Sequence, residues 1–416
     1  MIHSPRVFHR QTALAATLAV NGLCLQMWAP ASAQVISAQL PDSAPLGLRA
    51  VLPSDVRSIF GPTEVLKGGF ACGVEARAIY DSNFFLTEHD PQSELSTNIL
   101  PWVGYFSDPD GGVPFSLSAN YQPNLRAYQH NSSLNGFDNS GGVTIRAEGS
   151  KTVISAALNY NTVSGTDTLS GTFVTGSILA ADLRGTYQIG PRTALFANWR
   201  FSMSDYGSSG LVGAENYTTE LGGFWSATER FSLGPSFSYM RAESSNIGSR
   251  DTWALSMQAR YLMGTSLQLL ASLGLQSATN ARDAGGSTLG LTGNLAADYA
   301  INDRMRWVST IQYVTVPSPT DVNYVINNLT VSTALTRQLL RSAVSLGLEM
   351  NVSDYVDVGP VGTQLGQQDN LSAILSYSRK LFLDRVAFDS SIRYTLNDGR
   401  YDWSRLQVTA GLKIDF

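Results

Sequence analysis

Cysteine is nearly missing from this 416-residue chain: Cys24 and Cys72 are the only two. Cys24 falls in the N-terminal segment, which reads as removed on export, so no disulfide framework can staple the rest. The single remaining thiol suits a buried or lipid-facing apolar role better than a redox site. Histidine is scarce too, and of the four only His89 and His130 lie beyond residue 33. Charged residues make up 15%, yet beyond Ala33 no apolar stretch reaches the roughly 20 residues a membrane helix needs. Zinc-ligand spacing, a phosphate-binding glycine loop and a nucleophile elbow are absent, and no metal or cofactor is implied. The 28 Lys and Arg stand against 33 Asp and Glu, a net charge of −5, which argues against nucleic acid as a partner.

The first residues have the layout of an export signal. Arg6 and Arg10 make a positive start, Ala13 to Val20 an apolar core, and Ala31-Ser32-Ala33 a small-residue cleavage site. Leu23 before Cys24 is not the small residue that a lipid anchor requires. The expected organisation is a cleaved signal over residues 1–33, a periplasmic extension over 34–68 and a barrel over 69–416. Losing Arg6 and Arg10 leaves 26 basic against 33 acidic residues, a net of −7. The extension carries Pro41, Pro45, Pro53 and Pro62 and little alternation. It reads as a flexible leader, with a plug in the barrel or a dock for an inner-membrane synthesis complex as the alternatives.

From Gly69 onward the chain alternates. In the last segment Leu406, Val408, Ala410, Leu412, Ile414 and Phe416 are apolar, while Arg405, Gln407, Thr409, Lys413 and Asp415 stand between them. A period of two sends these sets to opposite sheet faces. Leu195, Ala197, Trp199, Phe201 and Met203 oppose Asn198, Arg200 and Ser202 in the same way. Segments of about ten residues, the length a tilted membrane strand needs, are divided by connections that are alternately short and long. Short ones include Glu148–Lys151, Ile189–Arg192, Ala227–Arg230, Ile301–Arg304 and Thr336–Leu339; long ones include Ser82–Ser93, Gln129–Asn139, Asn161–Phe173 and Asp354–Gln368. Nine long and eight short connections join eighteen strands, with sixteen as the alternative because the first hairpin is the least regular. Pro101 and Pro235 fall inside predicted strands, where proline deletes a ladder bond. Tyrosines and tryptophans gather near strand ends, as aromatic belts at the two lipid boundaries would require. The fold class is therefore all-β, a transmembrane antiparallel up-and-down barrel. Export, a uniform hairpin rhythm and a terminal aromatic together set it apart from a soluble sandwich, which also alternates.

Parity then assigns the charges. Arg77, Arg126, Arg146, Asp182, Arg184, Arg200, Glu220, Arg260, Asp298, Arg306, Arg341, Glu349, Asp389, Arg393, Arg405 and Lys413 take the lumen side. Facing lipid near the midplane, Arg and Lys would cost about 2–4 kcal/mol each and acids less. With Glu75, Glu148 and Asp415 added, eleven basic residues stand against eight acids. Two readings stay open: a polar wall that conducts hydrated solutes, favouring anions or sugars, or charges that pair across strands and merely solvate or fill the lumen. At the C-terminus, Leu412, Ile414 and Phe416 form the apolar end that barrel insertion machinery would recognise. The expected partners are outer-membrane lipids, that machinery, and a polysaccharide or an export complex.

A barrel can also be an enzyme. His89 has Glu88 and Asp90 beside it, which could serve as a dyad or bind a metal; a solvated loop residue is the plainer reading. A passive channel in the bacterial outer membrane leads, an adhesive barrel acting through its long loops comes second, and a hydrolase comes last.

The first hairpin carries a further signal. Tyr80-Asp81-Ser82-Asn83-Phe84-Phe85, followed by a polar loop and Asn98-Ile99-Leu100-Pro101, resembles the opening of the β-barrel porin 2 family, with Ser82 and Phe84 departing from its commoner residues. The motif covers about two strands of the chain. The resemblance implies an outer-membrane channel, often linked to exopolysaccharide biosynthesis and export, and brings no catalytic residues. By themselves, Asp81 and Asn83 sit at a strand end and shape the first loop.

Overall fold

A computed structural model describes residues 69–416 apart from 108–114, 167–172, 208–212, 245–247, 265, 281–286, 318–323, 358–363, 382–384 and 400–401. The expected signal, the extension over 34–68 and the expected turn over 108–112 lie outside the described residues. Twenty antiparallel strand segments follow in order: β1 (Gly69–Asp81), β2 (Glu94–Phe106), β3 (Phe115–Tyr121), β4 (Asn124–Tyr128), β5 (Gly136–Asp138), β6 (Ser140–Glu148), β7 (Thr152–Thr166), β8 (Phe173–Gly190), β9 (Thr193–Tyr206) and β10 (Ala214–Ser226). Then come β11 (Phe231–Ser244), β12 (Gly248–Met263), β13 (Leu267–Asn280), β14 (Ser287–Asn302), β15 (Met305–Pro317), β16 (Tyr324–Gln338), β17 (Ser342–Asp357), β18 (Gln364–Leu381), β19 (Val386–Asp398) and β20 (Trp403–Asp415).

The twenty segments make eighteen staves. β3 and β4 continue one another, as do β5 and β6, because Gln122 and Ser140 exchange both backbone hydrogen bonds across the breaks, at 2.7 and 3.2 Å. Each stave pairs with its neighbour in sequence, and β20 returns to β1 from Gly73↔Asp415 to Asp81↔Gln407. The sheet closes, so no edge is left with unpaired backbone groups, the condition for strands in hydrocarbon. Eighteen staves settle the choice against sixteen.

The two prolines mark interruptions of the ladder. β2 pairs with β3 up to Val103↔Tyr121 and with β4 from Ile99↔Leu125, which leaves Pro101 facing Pro123 across the gap. Pro235 lies where the β10–β11 pairing is interrupted between Gly222↔Ser236 and Trp225↔Leu233. There the two backbones press together so closely that a Cβ on Gly234 would lie 1.8 Å from the Gly223 carbonyl oxygen. Only glycine fits.

Alternation along β20 is complete. Trp403, Arg405, Gln407, Thr409, Gly411, Lys413 and Asp415 turn inward and are covered; Ser404, Leu406, Val408, Ala410, Leu412 and Ile414 turn outward. Around the barrel the outward set is leucine-rich and, among the described residues, left uncovered, with Leu273 67% and Leu289 74% exposed. Leaving such side chains in water forfeits about 1.5–3 kcal/mol each, so this band belongs in lipid and the barrel is transmembrane. Cys72 lies on the same outer face and is exposed. Near the long-loop rim, outward tyrosines tether to acids: Tyr217 Oη donates to Glu215 at 2.8 Å and Tyr239 Oη to Asp251 at 2.7 Å. Rings on the apolar side with wet hydroxyls above them mark a water–lipid boundary.

Strands of up to 18 residues outrun the bilayer, so the long connections are shorter than the sequence suggests. β7 continues to Thr166 and β17 to Asp357, both inside stretches expected to be loop. One turn is displaced. Thr336 and Arg337 still pair across to Ser345 and Val344, and the chain reverses over Leu339–Arg341, where the Leu339 N–H reaches Ser342 O at 2.7 Å. The sequence places the turn at Thr336–Leu339 and the next strand after it, but Leu340 is 92% exposed at the turn.

Candidate functional site: the inner face and its outer mouth

The inner face is where this fold concentrates polar chemistry. Across β8 to β12 the polar side chains form one linked band. Asp182 accepts from Arg200 Nε at 2.6 Å and lies 3.6 Å from Arg184 Nη2. Asn198 Nδ2 donates to Glu220 Oε2 at 3.1 Å, and Gln258 Nε2 donates to Glu220 Oε1 at 3.0 Å and to Ser236 Oγ at 2.8 Å. Gln258 reaches Glu220 across the whole of β11, whose small Gly234 and Ser236 leave room for it. Gln258 is 1% exposed, so this band is packed against the wall.

The other inward charges pair locally as well. Arg306 Nε donates to Asp298 at 2.7 Å from the next strand, and Arg393 Nη2 lies 3.4 Å from Glu349 and donates to Ser372 at 3.2 Å. Arg77 pairs with Glu75, Arg146 with Glu148 at 2.5 Å and Lys413 with Asp415 at 3.1 Å. Asp389 and Arg77 both crowd Gly411, with atoms 3.0 and 3.1 Å from where its Cβ would stand. Arg260 takes an inward, half-buried position on β12. Arg341 does not join this wall: it lies exposed in the displaced turn between β16 and β17. The expected excess of basic charge also changes. Asp81, Glu94 and Asp138 turn inward, unmarked by the sequence pattern because they sit at strand ends or in a three-residue segment, and so do Arg250 and Lys380. Among the described residues the two signs come close to balance, and most charges are neutralised by a partner on their own strand or one or two strands away.

At the long-loop end the first hairpin is tied down on two sides. Arg405 donates to Asp81 through Nε at 2.8 Å and also through Nη2, while the Asn83 N–H donates to Asp81 Oδ1 at 3.1 Å. Asn83 Nδ2 donates to the Ser404 carbonyl at 3.1 Å and to that of Thr87 at 2.8 Å. Thus Asp81 and Asn83 do shape the first loop, and they do it by fastening it to the closing strand β20. On the other side Phe84 packs against Tyr128 with ring centroids 5.2 Å apart and against Phe173 at 6.0 Å. Tyr128 is braced in turn: Arg126 donates to its hydroxyl at 2.9 Å, pairs with Asp138 and bonds the Ser164 carbonyl at 2.5 Å. Glu94 collects the backbone N–H groups of Gln129 and His130 at 2.9 Å and of Asn131 at 3.1 Å, plus the Asn131 side chain at 2.6 Å.

The two histidines among the described residues lie at this rim. His89 is largely solvated beside Glu88 at 3.8 Å, and His130 Nδ1 sits 3.6 Å from Glu94. Among the described residues no group of three or more His, Cys, Asp and Glu is arranged to hold a metal. At the opposite end Leu412 and Ile414 face outward, and Phe416 is 76% exposed with its N–H bonded to Cys72 O at 2.8 Å.

No family model matches the chain, and no curated protein sequence matches it. Solved structures of similar shape include OpdK of Pseudomonas aeruginosa with vanillate, with a TM-score of 0.45, 11% identity, 83% of this chain covered and 99% of that one. OccAB3 of Acinetobacter baumannii gives 0.45, 10%, 83% and 99%. The FrpB iron transporter of Neisseria meningitidis gives 0.47, 8%, 83% and 81%. The barrel itself rests on the β1–β20 closure and the apolar outer band, not on these similarities.

Proposed function

We propose that this protein is a passive channel of the bacterial outer membrane, passing hydrophilic solutes through the barrel. The observation that carries this is the division of faces: a closed eighteen-stave wall with an uncovered leucine-rich outside and a polar inside. A wall of that strand number can enclose a lumen wider than its own side chains fill. Near-balanced, locally paired charges favour weak ion selectivity and uncharged, hydrogen-bonding solutes over a strong preference for anions. Saccharides are the solute class of choice, in keeping with the likeness of the first hairpin to the β-barrel porin 2 family. Passage of an exported polysaccharide, with residues 34–68 meeting an export complex, is the narrower form of the same reading. Membrane lipid and the insertion machinery are the proposed partners of the outer band and of Phe416.

Purified protein in planar bilayers tests the proposal. Discrete conductance steps with a reversal potential near zero in a salt gradient are expected, together with uptake of small uncharged sugars by loaded liposomes. A barrel silent in both assays overturns the channel reading.

A further inference from the structure

The first loop does not stand up from the rim. Asn83 and Phe84 are each 2% exposed and Leu86 4%, in a segment that a free surface loop would leave in water. Leu86 and Asp90 hold left-handed backbone angles, φ 54° and 55°, a conformation that costs a leucine in particular and persists only where surrounding contacts impose it. Those contacts are the Asn83 and Asp81 bonds to β20 on one side and the aromatic contacts on the other.

Distances around the wall show where the loop must run. From β1 to β8 the path passes β2, β4, β5 and β7, five inter-strand steps. At about 4.8 Å per step that is roughly 24 Å of circumference. Phe84 follows the end of β1 by three residues, which span about 10 Å when extended. It nevertheless lies 6.0 Å from Phe173, the first residue of β8. Tyr128 and Phe173 sit on staves three steps apart, about 14 Å along the wall, yet their centroids are 6.1 Å apart. Tyr128 belongs to the inward set of β4 with Arg126, opposite the exposed Leu125, so the rings seated on it lie on the lumen side of the wall.

We propose that residues 82–93 form a constriction folded across the outer mouth, held there by the buried ring of Phe84 seated on Tyr128 and Phe173, and that the loop so held sets the size limit of the channel. Asn83 and the Asp81–Arg405 pair fix its near end; Arg126, Asp138 and Ser164 fix the platform at its far end. The inference rests on the channel reading above and adds the place and the residues that determine which solutes fit. The exposed part of the loop, Thr87 to Ser93, is polar apart from Pro91, so the narrowing screens solutes by size and offers hydrogen bonds to uncharged ones, saccharides among them.

The test compares wild type, Phe84→Ala, Asn83→Ala and Phe137→Ala, the last an outward-facing aromatic on the same rim. Single-channel conductance and the size cut-off for uncharged sugars in liposome swelling are measured on protein whose gel migration shifts on heating, as a folded barrel's does. For Phe84→Ala conductance should rise on the order of twofold, because the loop loses the ring that holds it across the mouth, and larger sugars should enter. Asn83→Ala should act in the same direction, and Phe137→Ala should match wild type. Equal conductance and cut-off in wild type and all three variants overturns the constriction and leaves the channel standing. Silence in wild type and every variant overturns the channel reading itself.

Discussion

Replacing Arg405 by alanine tests how the barrel is closed. Its guanidinium and the Asp81 carboxylate are 9% and 4% exposed, on strands that are last and first in the chain. Removing one partner of a buried pair leaves a stranded charge, at a cost of about 3–5 kcal/mol. Asp81 keeps two other donors, the Asn83 N–H at 3.1 Å and Gln407 Nε2 at 3.3 Å, so the low end, about 3 kcal/mol, is expected. That is a factor of roughly one hundred in the folding equilibrium. Arg405→Lys restores the charge but not the fork and should lose about 1–2 kcal/mol. Arg146→Ala supplies the internal comparison, since its pair with Glu148 is 34% and 42% exposed and should contribute about 0–1 kcal/mol. Urea titration in lipid vesicles, followed by tryptophan fluorescence and by heat-shifted gel migration, gives the differences from the midpoints. A loss below about 1 kcal/mol for Arg405→Ala, or one no larger than for Arg146→Ala, refutes the idea that this pair secures the seam.

Three further outcomes follow from the same geometry. Leu273→Arg, on the outer face of β13, should cost about 2–4 kcal/mol in vesicles, whereas Ser272→Arg beside it, on the inner face, should leave folding within about 1 kcal/mol; reversal of that order would refute the assignment of faces. Glu94→Ala removes the acceptor shared by residues 129–131, so hydrogen exchange of those backbone amides should speed up while amides of β13 and β14 keep their rates. Phe416→Ala should lower the yield of assembled barrel and leave the conductance of folded protein unchanged; an unaltered yield would end the assembly role of the terminus.

Much of the wall was legible because its cause is local. A period of two is written in every ten-residue stretch, so the faces of β9, β13 and β20 follow from the residues themselves, and turns such as Ala227–Arg230 announce themselves by composition. The turn at Leu339–Arg341 misleads for the same local reason: polar Thr336, Arg337 and Gln338 carry the signal of a turn, while the pairing that overrides it, Thr336 with Ser345, depends on the strand that follows. Arg341 was misassigned along with it. What no local pattern shows is ring closure. Asp81 meets Arg405 at a separation of 324 residues and Asn83 meets Ser404 at 321, so neither partner can be named from spacing. The same holds for Phe84, whose neighbours on β4 and β8 become neighbours only because the sheet curls round. An ordinary hairpin needs no aspartate bonded to the far end of the chain, and no buried aromatic after it. Both are needed where the first strand must find the last and where the loop between the first two strands must turn into the barrel. The stretch Asp81–Phe84 therefore joins two tasks, closing the wall and narrowing its mouth, and a substitution that loosens the seam from β20 should widen the mouth as well.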